Sequence, residues 1–191
     1  MKRITFAAAL LLAAMPCAAI AAEPTAPALV APAFAVPTSA EGPGFVLRPL
    51  GPDLVKIDFV AYMSSVEHLQ QTFTRSTEWP HAGISDADAL LDMQAEAGRF
   101  ARRESFAYSV LTPDGKRERG CIYVAPSPVA GYDAVVRIWV TKAEYDAGFD
   151  KALEAWAHTW IAAKWPFKNV AWPGRDIPWA TWDALTAKKG A

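Results

Sequence analysis

The sequence predicts an α+β domain, a mixed, mostly antiparallel sheet flanked by helices, and three stretches point to it. SFAYSVL (105–111) and GCIYV (120–124) carry β-branched and aromatic residues on either side of Pro113-Asp114-Gly115, the pattern of two antiparallel strands joined by a hairpin loop. From Asp133 to Val140, Ala134, Val136, Ile138 and Val140 alternate with Asp133, Val135, Arg137 and Trp139, which predicts a third strand with one core face and one face mixing charge with an aromatic ring. In WVTKAEYDAGFDKALEAW (139–156) that strand runs into a helix, where Phe149, Leu153, Trp156 and Trp160 keep core spacing until Trp165-Pro166 ends it.

The remaining elements follow in order. FVLRPL (45–50) reads as a first strand closed by Gly51-Pro52. Ser64-x-x-Glu67 reads as a capping box for a short helix whose Tyr62, Val66, Leu69 and Phe73 share one face. After the loop TEWPHAG (77–83), Ser85-x-x-Asp88 opens a second helix with Leu90, Met93, Ala97 and Phe100 inward. Arg99, Arg102 and Arg103 near its end read as basic charge on a solvated face complementing a helix C-terminus. Beyond the crossing helix come a strand in FKNVAW (167–172), a turn at Pro173-Gly174-Arg175 and a short helix around Trp179 to Leu185.

A chain of 191 residues, 52% hydrophobic and 12% aromatic with a formal charge of -1, has the material for one globular core. Lys2 and Arg3 precede the apolar run FAAALLLAAMPCAAIAA, and Ala19-Ile20-Ala21 supplies the small residues of a cleavage site, so 1–21 reads as a signal peptide and the protein as periplasmic or secreted. Pro16 interrupts the run and argues against a spanning helix. Residues 22–44, rich in Pro and Ala, read as an extended linker, 45–185 as the domain and 186–191 as a C-terminal tail. Cleavage leaves 170 residues and, without Lys2 and Arg3, 17 basic residues of the original 19 against 20 acidic ones, a net charge of -3. That balance excludes a nucleic-acid partner, and no membrane partner is expected after cleavage. Cys121 is then the single cysteine, read as a small buried residue without a disulfide, and His68, His81 and His158 lack metal-ligand spacing, so no metal is expected. Trp139, Trp172, Trp179 and Trp182 read as a partly exposed aromatic cleft suited to an apolar or sugar-like ligand.

In combination, the order strand, two helices, three antiparallel strands, helix, strand, helix resembles the GNAT acyltransferase superfamily. The likeness rests on FVLRPL, DFVAYMSSVEHLQQTF, EWP, FAYSVLTPDG with GCIYVAP following, YDAVVRIWV leading to GFDKALEAWAHTW, and WPFKNVAWPGR, over residues 45–185. It implies a GNAT-like N-acetyltransferase passing an acyl group from acetyl-CoA to an amine acceptor. In such proteins the fourth strand pairs with the pantetheine arm and the next loop wraps the pyrophosphate, which would make Trp139, Val140, Thr141, Ala147, Gly148 and Phe149 the cofactor-binding residues. The resemblance also implies Asp133, on the fourth strand, as the base acting through water and Tyr145 as the acid that reprotonates the thiolate.

The loop itself sets a physical limit. The family pattern runs Gln or Arg, two residues, Gly, one residue, Gly or Ala; with Gly148 as the first glycine, Tyr145 and Asp150 stand at the outer positions. Asp146 and Asp150 bring negative charge towards a pyrophosphate. Thr141-x-x-Glu144 is also a capping box, so the helix is expected to begin directly after the strand, with Gly148 inside it at about 1 kcal/mol relative to Ala, or at Asp146 as N-cap. In both cases a carboxylate occupies the helix start, which predicts weak acetyl-CoA binding. Two functions follow, an exported acyltransferase and a non-catalytic periplasmic ligand-binding or interaction module on the same fold.

Overall fold

A computed structural model describes residues 26–187. The expected signal peptide and cleavage site lie outside them. Six strands form one sheet in the order β1 (Ala40–Gly42), β2 (Phe45–Pro49), β3 (Phe106–Leu111), β4 (Glu118–Ala125), β5 (Ala134–Val140) and β6 (Val170–Ala171). Every neighbouring pair is antiparallel except β5 with β6, which is parallel. One face is covered by α1 (Val55–Met63), α2 (Val66–Leu69) and α3 (Asp86–Ala101), the other by α5 (Phe149–Lys164). The predicted α+β class is the observed one.

Both faces are packed. Phe45, Phe106, Ile122, Val136 and Ile138 meet Leu153, Ala157 and Trp160 of α5, while Leu54, Tyr62, Leu69 and Met93 meet Leu111, Cys121 and Trp139 on the opposite side. The face of β5 expected to mix charge with a ring is therefore largely core: Val135 and Trp139 are buried, and only Arg137 stays part-exposed.

Three expectations about local structure change, each because a tertiary partner competes for a side chain or a backbone group. Ser64 opens no helix; it ends α1 with its hydroxyl on the Ala61 carbonyl, and the hydroxyl of Ser65 accepts the Lys142 N–H at 2.9 Å. The stripe of α3 is rotated, with Ala89 and Met93 buried and Leu90 exposed, although its capping box forms as expected, with Asp88 N–H on Ser85 Oγ at 3.2 Å and Ser85 N–H on Asp88 Oδ2 at 3.0 Å. After α2 the chain widens into a π turn at Gln70–Thr74, a form that recurs at functional sites.

The segment read as a linker is packed from Leu29 onward. Val30 is buried in the core, Phe34 lies 5.7 Å from the Trp165 ring, and the Tyr108 hydroxyl donates to the Pro37 carbonyl at 2.8 Å. The basic cluster after α3 is part of this clasp. Arg103 donates to the carbonyls of Ala31 and Phe34, both at 2.7 Å, while Arg99 and Arg102 pair with Glu96 and Glu104. No helix among the described residues is long and apolar enough to cross a membrane.

Candidate functional site

β5 and β6 pair only at Ala134 with Val170 and Val135 with Ala171, and beyond that the two chains diverge. Pro173 cannot donate to a ladder, and the turn after it is closed by Gly174 N–H on the Ile177 carbonyl at 2.8 Å. Gly174 has φ +76, and a Cβ there would fall 2.5 Å from the Trp179 ring, so both its backbone and its neighbour require glycine. The divergence opens a cavity of about 280 Å³ between the end of β5, the π turn and α6 (Trp179–Ala187).

The floor of this cavity is the unpaired edge of β5. Thr141 N–H donates to the Arg119 carbonyl at 3.0 Å, so alternate residues of β5 point their main-chain groups towards β4 and those between them point away. Ile138 and Val140 therefore present N–H and C=O to the cavity.

His68 stands over that edge from α2. Its ring lies 4.9 Å from the ring of Tyr145, and it faces the carbonyl of Val140. Burial, then the charge of Lys142, pull its pKa below the ordinary histidine value, so the imidazole is neutral near pH 7. Tyr145 is 48% exposed and reaches the cavity from α4 (Lys142–Asp146). Arg137 enters from β5 with its guanidinium 4.2 Å over the Phe73 ring and 5.7 Å from the Trp179 ring, donating to the Phe73 carbonyl. Among the described residues no carboxylate forms an ion pair with it. Arg75 pairs with Asp183 at 2.8 Å and lies over Trp179, which pins α6 across the opening.

The segment expected to cradle a pyrophosphate takes a third form, neither of the two helix starts considered. It is helical twice, as α4 and then α5, with Gly148 between them at φ 79. Thr141 caps α4 through the Glu144 N–H, but the reciprocal half of the box is missing because Glu144 is buried against Arg117 at 2.7 Å and Arg119 at 2.5 Å. The N–H groups of Tyr145, Ala147 and Gly148 are taken by the carbonyls of Thr141, Ala143 and Tyr145. At the start of α5, Asp150 is buried and held by both guanidinium nitrogens of Arg175 at 2.5 and 2.6 Å, and Glu154 joins at 3.0 Å. Asp146 stays exposed and pairs with Lys142.

These observations divide the fit to a coenzyme A thioester. The free β5 edge fits the amide-bearing arm. The pyrophosphate end fits poorly, because the donors before Gly148 are consumed within α4 and the Asp150 carboxylate, paired with Arg175, stands in the first turn of α5.

Of the residues singled out from sequence, Trp139, Val140 and Tyr145 line the cavity, while Thr141, Ala147, Gly148 and Phe149 belong to the helical connection beside it. Asp133 is at the far end of β5. Its carboxylate accepts the N–H groups of Lys168 and Asn169 at 2.7 and 2.9 Å, which anchors the start of β6 and holds its pKa below the usual carboxylate range. The expected four-tryptophan cleft reduces to two: Trp139 and Trp179 line the cavity, whereas Trp172 stacks on His158 at 3.8 Å and Trp182 packs by Tyr132. His68, Arg137 and Arg175 escaped the sequence reading. The one signal for Arg137 was a cation in the middle of an apolar strand; His68 and Arg175 gain meaning only from distant partners.

No protein-family model matches this chain, and no curated protein does. Solved structures do. The ribosomal-protein-S5-alanine acetyltransferase from Vibrio fischeri is 11% identical with a TM-score of 0.57, covering 80% of this chain and 81% of its own. A Vibrio cholerae chain assigned as a ribosomal-protein-serine acetyltransferase is 15% identical with a TM-score of 0.57, covering 85% of each. A ribosomal L7/L12 alpha-N-protein acetyltransferase in complex with coenzyme A reaches a TM-score of 0.49 at 16% identity, covering 63% of this chain and 65% of its own, too distant for its ligand to be carried across. The protein has the GNAT superfamily fold.

Proposed function

We propose that this is an exported acyltransferase-type protein, in which the free edge of β5 holds the arm of an acyl thioester and the acyl group passes to an amine. The observation that carries the reading is the cleft, where the main-chain groups that Ile138 and Val140 turn away from β4 open beside a neutral imidazole, itself turned to the Val140 carbonyl, and a phenol. The thioester supplies an activated carbonyl carbon. His68, with one ring nitrogen turned to the Val140 carbonyl, keeps the other free to accept the proton that the attacking amine releases as the C–N bond forms. In this reading Tyr145 donates a proton to the sulfur as the C–S bond breaks. The filled helix start means that the nucleotide end of coenzyme A adds little to binding.

The test compares acetyl-CoA with acetyl-pantetheine, each at millimolar concentration, in thermal melts and in thiol release with a primary amine. Equal stabilisation by the two donors is expected, since a ligand at a hundredfold excess over its Kd adds about 2.7 kcal/mol whichever part of it binds. Asp150→Ala is expected to favour acetyl-CoA, because it removes a negative charge and frees Arg175. A much larger shift with acetyl-CoA on the unaltered protein would show an open pyrophosphate cradle. No shift and no thiol release with either donor would end the acyl-transfer reading.

A second reading, a non-catalytic module that binds a small ligand, is favoured by Arg137, whose guanidinium between two aromatic rings has no acidic partner among the described residues and suits an anionic group. Export rests on Lys2, Arg3 and the apolar run that follows. Mass spectrometry of the exported protein is expected to find Ala22 or Glu23 first, and a mass that includes 6–22 would count against cleavage.

A further inference from the structure

Away from the cleft, under α1, three ionisable side chains meet in the core. Asp58 of α1 is 6% exposed, Glu118 of β4 is 1% and Cys121 of β4 is 0%. Strict alternation would put Glu118 and Cys121 on opposite faces of β4, since they are three residues apart. The register shift between Val110 and Leu111 pairs Leu111 with Glu118 and Val110 with Gly120, and this bulge turns Glu118 to the Cys121 side. Cys121 Sγ lies 2.8 Å from Glu118 Oε1 and 3.9 Å from Asp58 Oδ1, and one donor atom from each of the three residues falls within 4.8 Å of the others.

The cluster is short of partners. Glu118 Oε2 has no hydrogen bond of good geometry, and neither has the fully buried hydroxyl of Ser109, which stands opposite Cys121 across the β3–β4 ladder; among the described residues the polar groups beside them are one another, Cys121 and Asp58. Among the described residues no lysine or arginine forms an ion pair with Asp58 or Glu118; the nearby Arg117 and Arg119 are committed to Glu144. Two carboxyl groups and a thiol buried together must be neutral, either by keeping their protons or by sharing a cation at their centre.

We propose that Asp58, Glu118 and Cys121, with the Ser109 hydroxyl as fourth donor, bind a divalent ion of the zinc class. A soft thiolate beside hard carboxylate oxygens suits zinc, and a donor set closed off from solvent describes a structural site rather than a catalytic one. The ion takes the place of protons, which leave to water as the ligands bind. It would tie α1 to the β3–β4 hairpin through Cys121, the free cysteine among the described residues.

The test is to refold the protein in equimolar zinc chloride, desalt it, and measure retained zinc by elemental mass spectrometry alongside the thermal midpoint with and without chelator. Stoichiometric zinc and a midpoint that falls on chelation are expected. Glu118→Gln and Cys121→Ser should each lower retained zinc about tenfold or more. Cobalt in place of zinc should give a thiolate-to-metal absorption band in the unaltered protein, a readout that does not depend on any variant folding. The part-exposed trio Glu154, His158 and Asp176 provides the control. Zinc lost in His158→Gln but kept in Cys121→Ser, or zinc that washes out of the unaltered protein with no cobalt–thiolate band, would overturn the assignment.

Discussion

At the cleft His68 sits against Tyr145, and its partial burial, then the charge of Lys142, lowers its pKa from the ordinary value of 6.5. The unfolded chain therefore takes up a proton as the pH falls through about 6.5 while the folded protein does not, so the stability His68 contributes is complete above that value and is lost as the pH falls below it. Melts between about pH 7 and pH 5 are expected to show a shallower loss in His68→Gln than in the parent, and identical slopes would refute the placement. Glu144 acts in a lower window. Burial opposes its ionisation, but the hydrogen bonds and charges of Arg119 and Arg117 outweigh it and bring the pKa below the ordinary 4.5. Its contribution is present above that value and is lost as the pH falls. Glu144→Gln should cost about 2 kcal/mol in urea unfolding at pH 7, since Arg119 is left part-buried while the exposed Arg117 can turn to water. A loss under about 0.5 kcal/mol would mean that the pair does not hold α4.

The connection from β5 to α5 shows how one backbone choice shapes an element. A single continuous helix would place Gly148 in its interior, where Ala would stabilise by about 1 kcal/mol. In the left-handed conformation found here an alanine Cβ meets nothing within 4 Å, so only the conformational penalty remains, and Gly148→Ala should destabilise by about 1 kcal/mol. The sign of that change in denaturant unfolding decides between the two geometries. Within α5 the predicted stripe is present but uneven. Trp160 is buried among Tyr108, Trp156 and Trp165, whereas Trp156 is half-buried. Trp160→Ala is expected to cost about 3 to 5 kcal/mol and Trp156→Ala clearly less. Equal costs would mean that the helix is rotated from this orientation.

Across the whole molecule, the segment before β1 closes the core edge that Trp165 and Phe106 present. Val30 fills it, and Arg103 and Tyr108 hold the backbone by its carbonyls. A chain beginning at Ser39 should unfold more readily by at least about 2 kcal/mol, from the exposure of one valine site and the loss of an acceptor for a buried tyrosine hydroxyl. An unchanged denaturation midpoint would return the segment to the role of a tether.

The hairpin of β3 and β4, the strand β5, the capped start of α3 and the order of elements that marks the GNAT fold were all legible in the chain by itself. Each rests on neighbours a few residues apart: a Pro-Asp-Gly turn, a period of two, a Ser85–Asp88 box. The packed N-terminal segment was not legible, because its prolines and alanines carry no periodicity and its partners, Arg103 and Tyr108, lie about seventy residues away. The cleft was partly legible. Trp139, Val140 and Tyr145, named from the resemblance, line the cavity, but the base we propose is His68 rather than Asp133, because parallel pairing spends the Asp133 carboxylate on the N–H groups that start β6. The two carboxylates expected to repel a phosphate were visible as charges at 146 and 150; that Arg175 neutralises Asp150 at the cavity wall was decided only by the turn after β6, which brings a residue twenty-five positions away onto the start of α5. Local rules of backbone geometry determine elements, and the pairing of charges across elements is decided by which chain ends the sheet brings together.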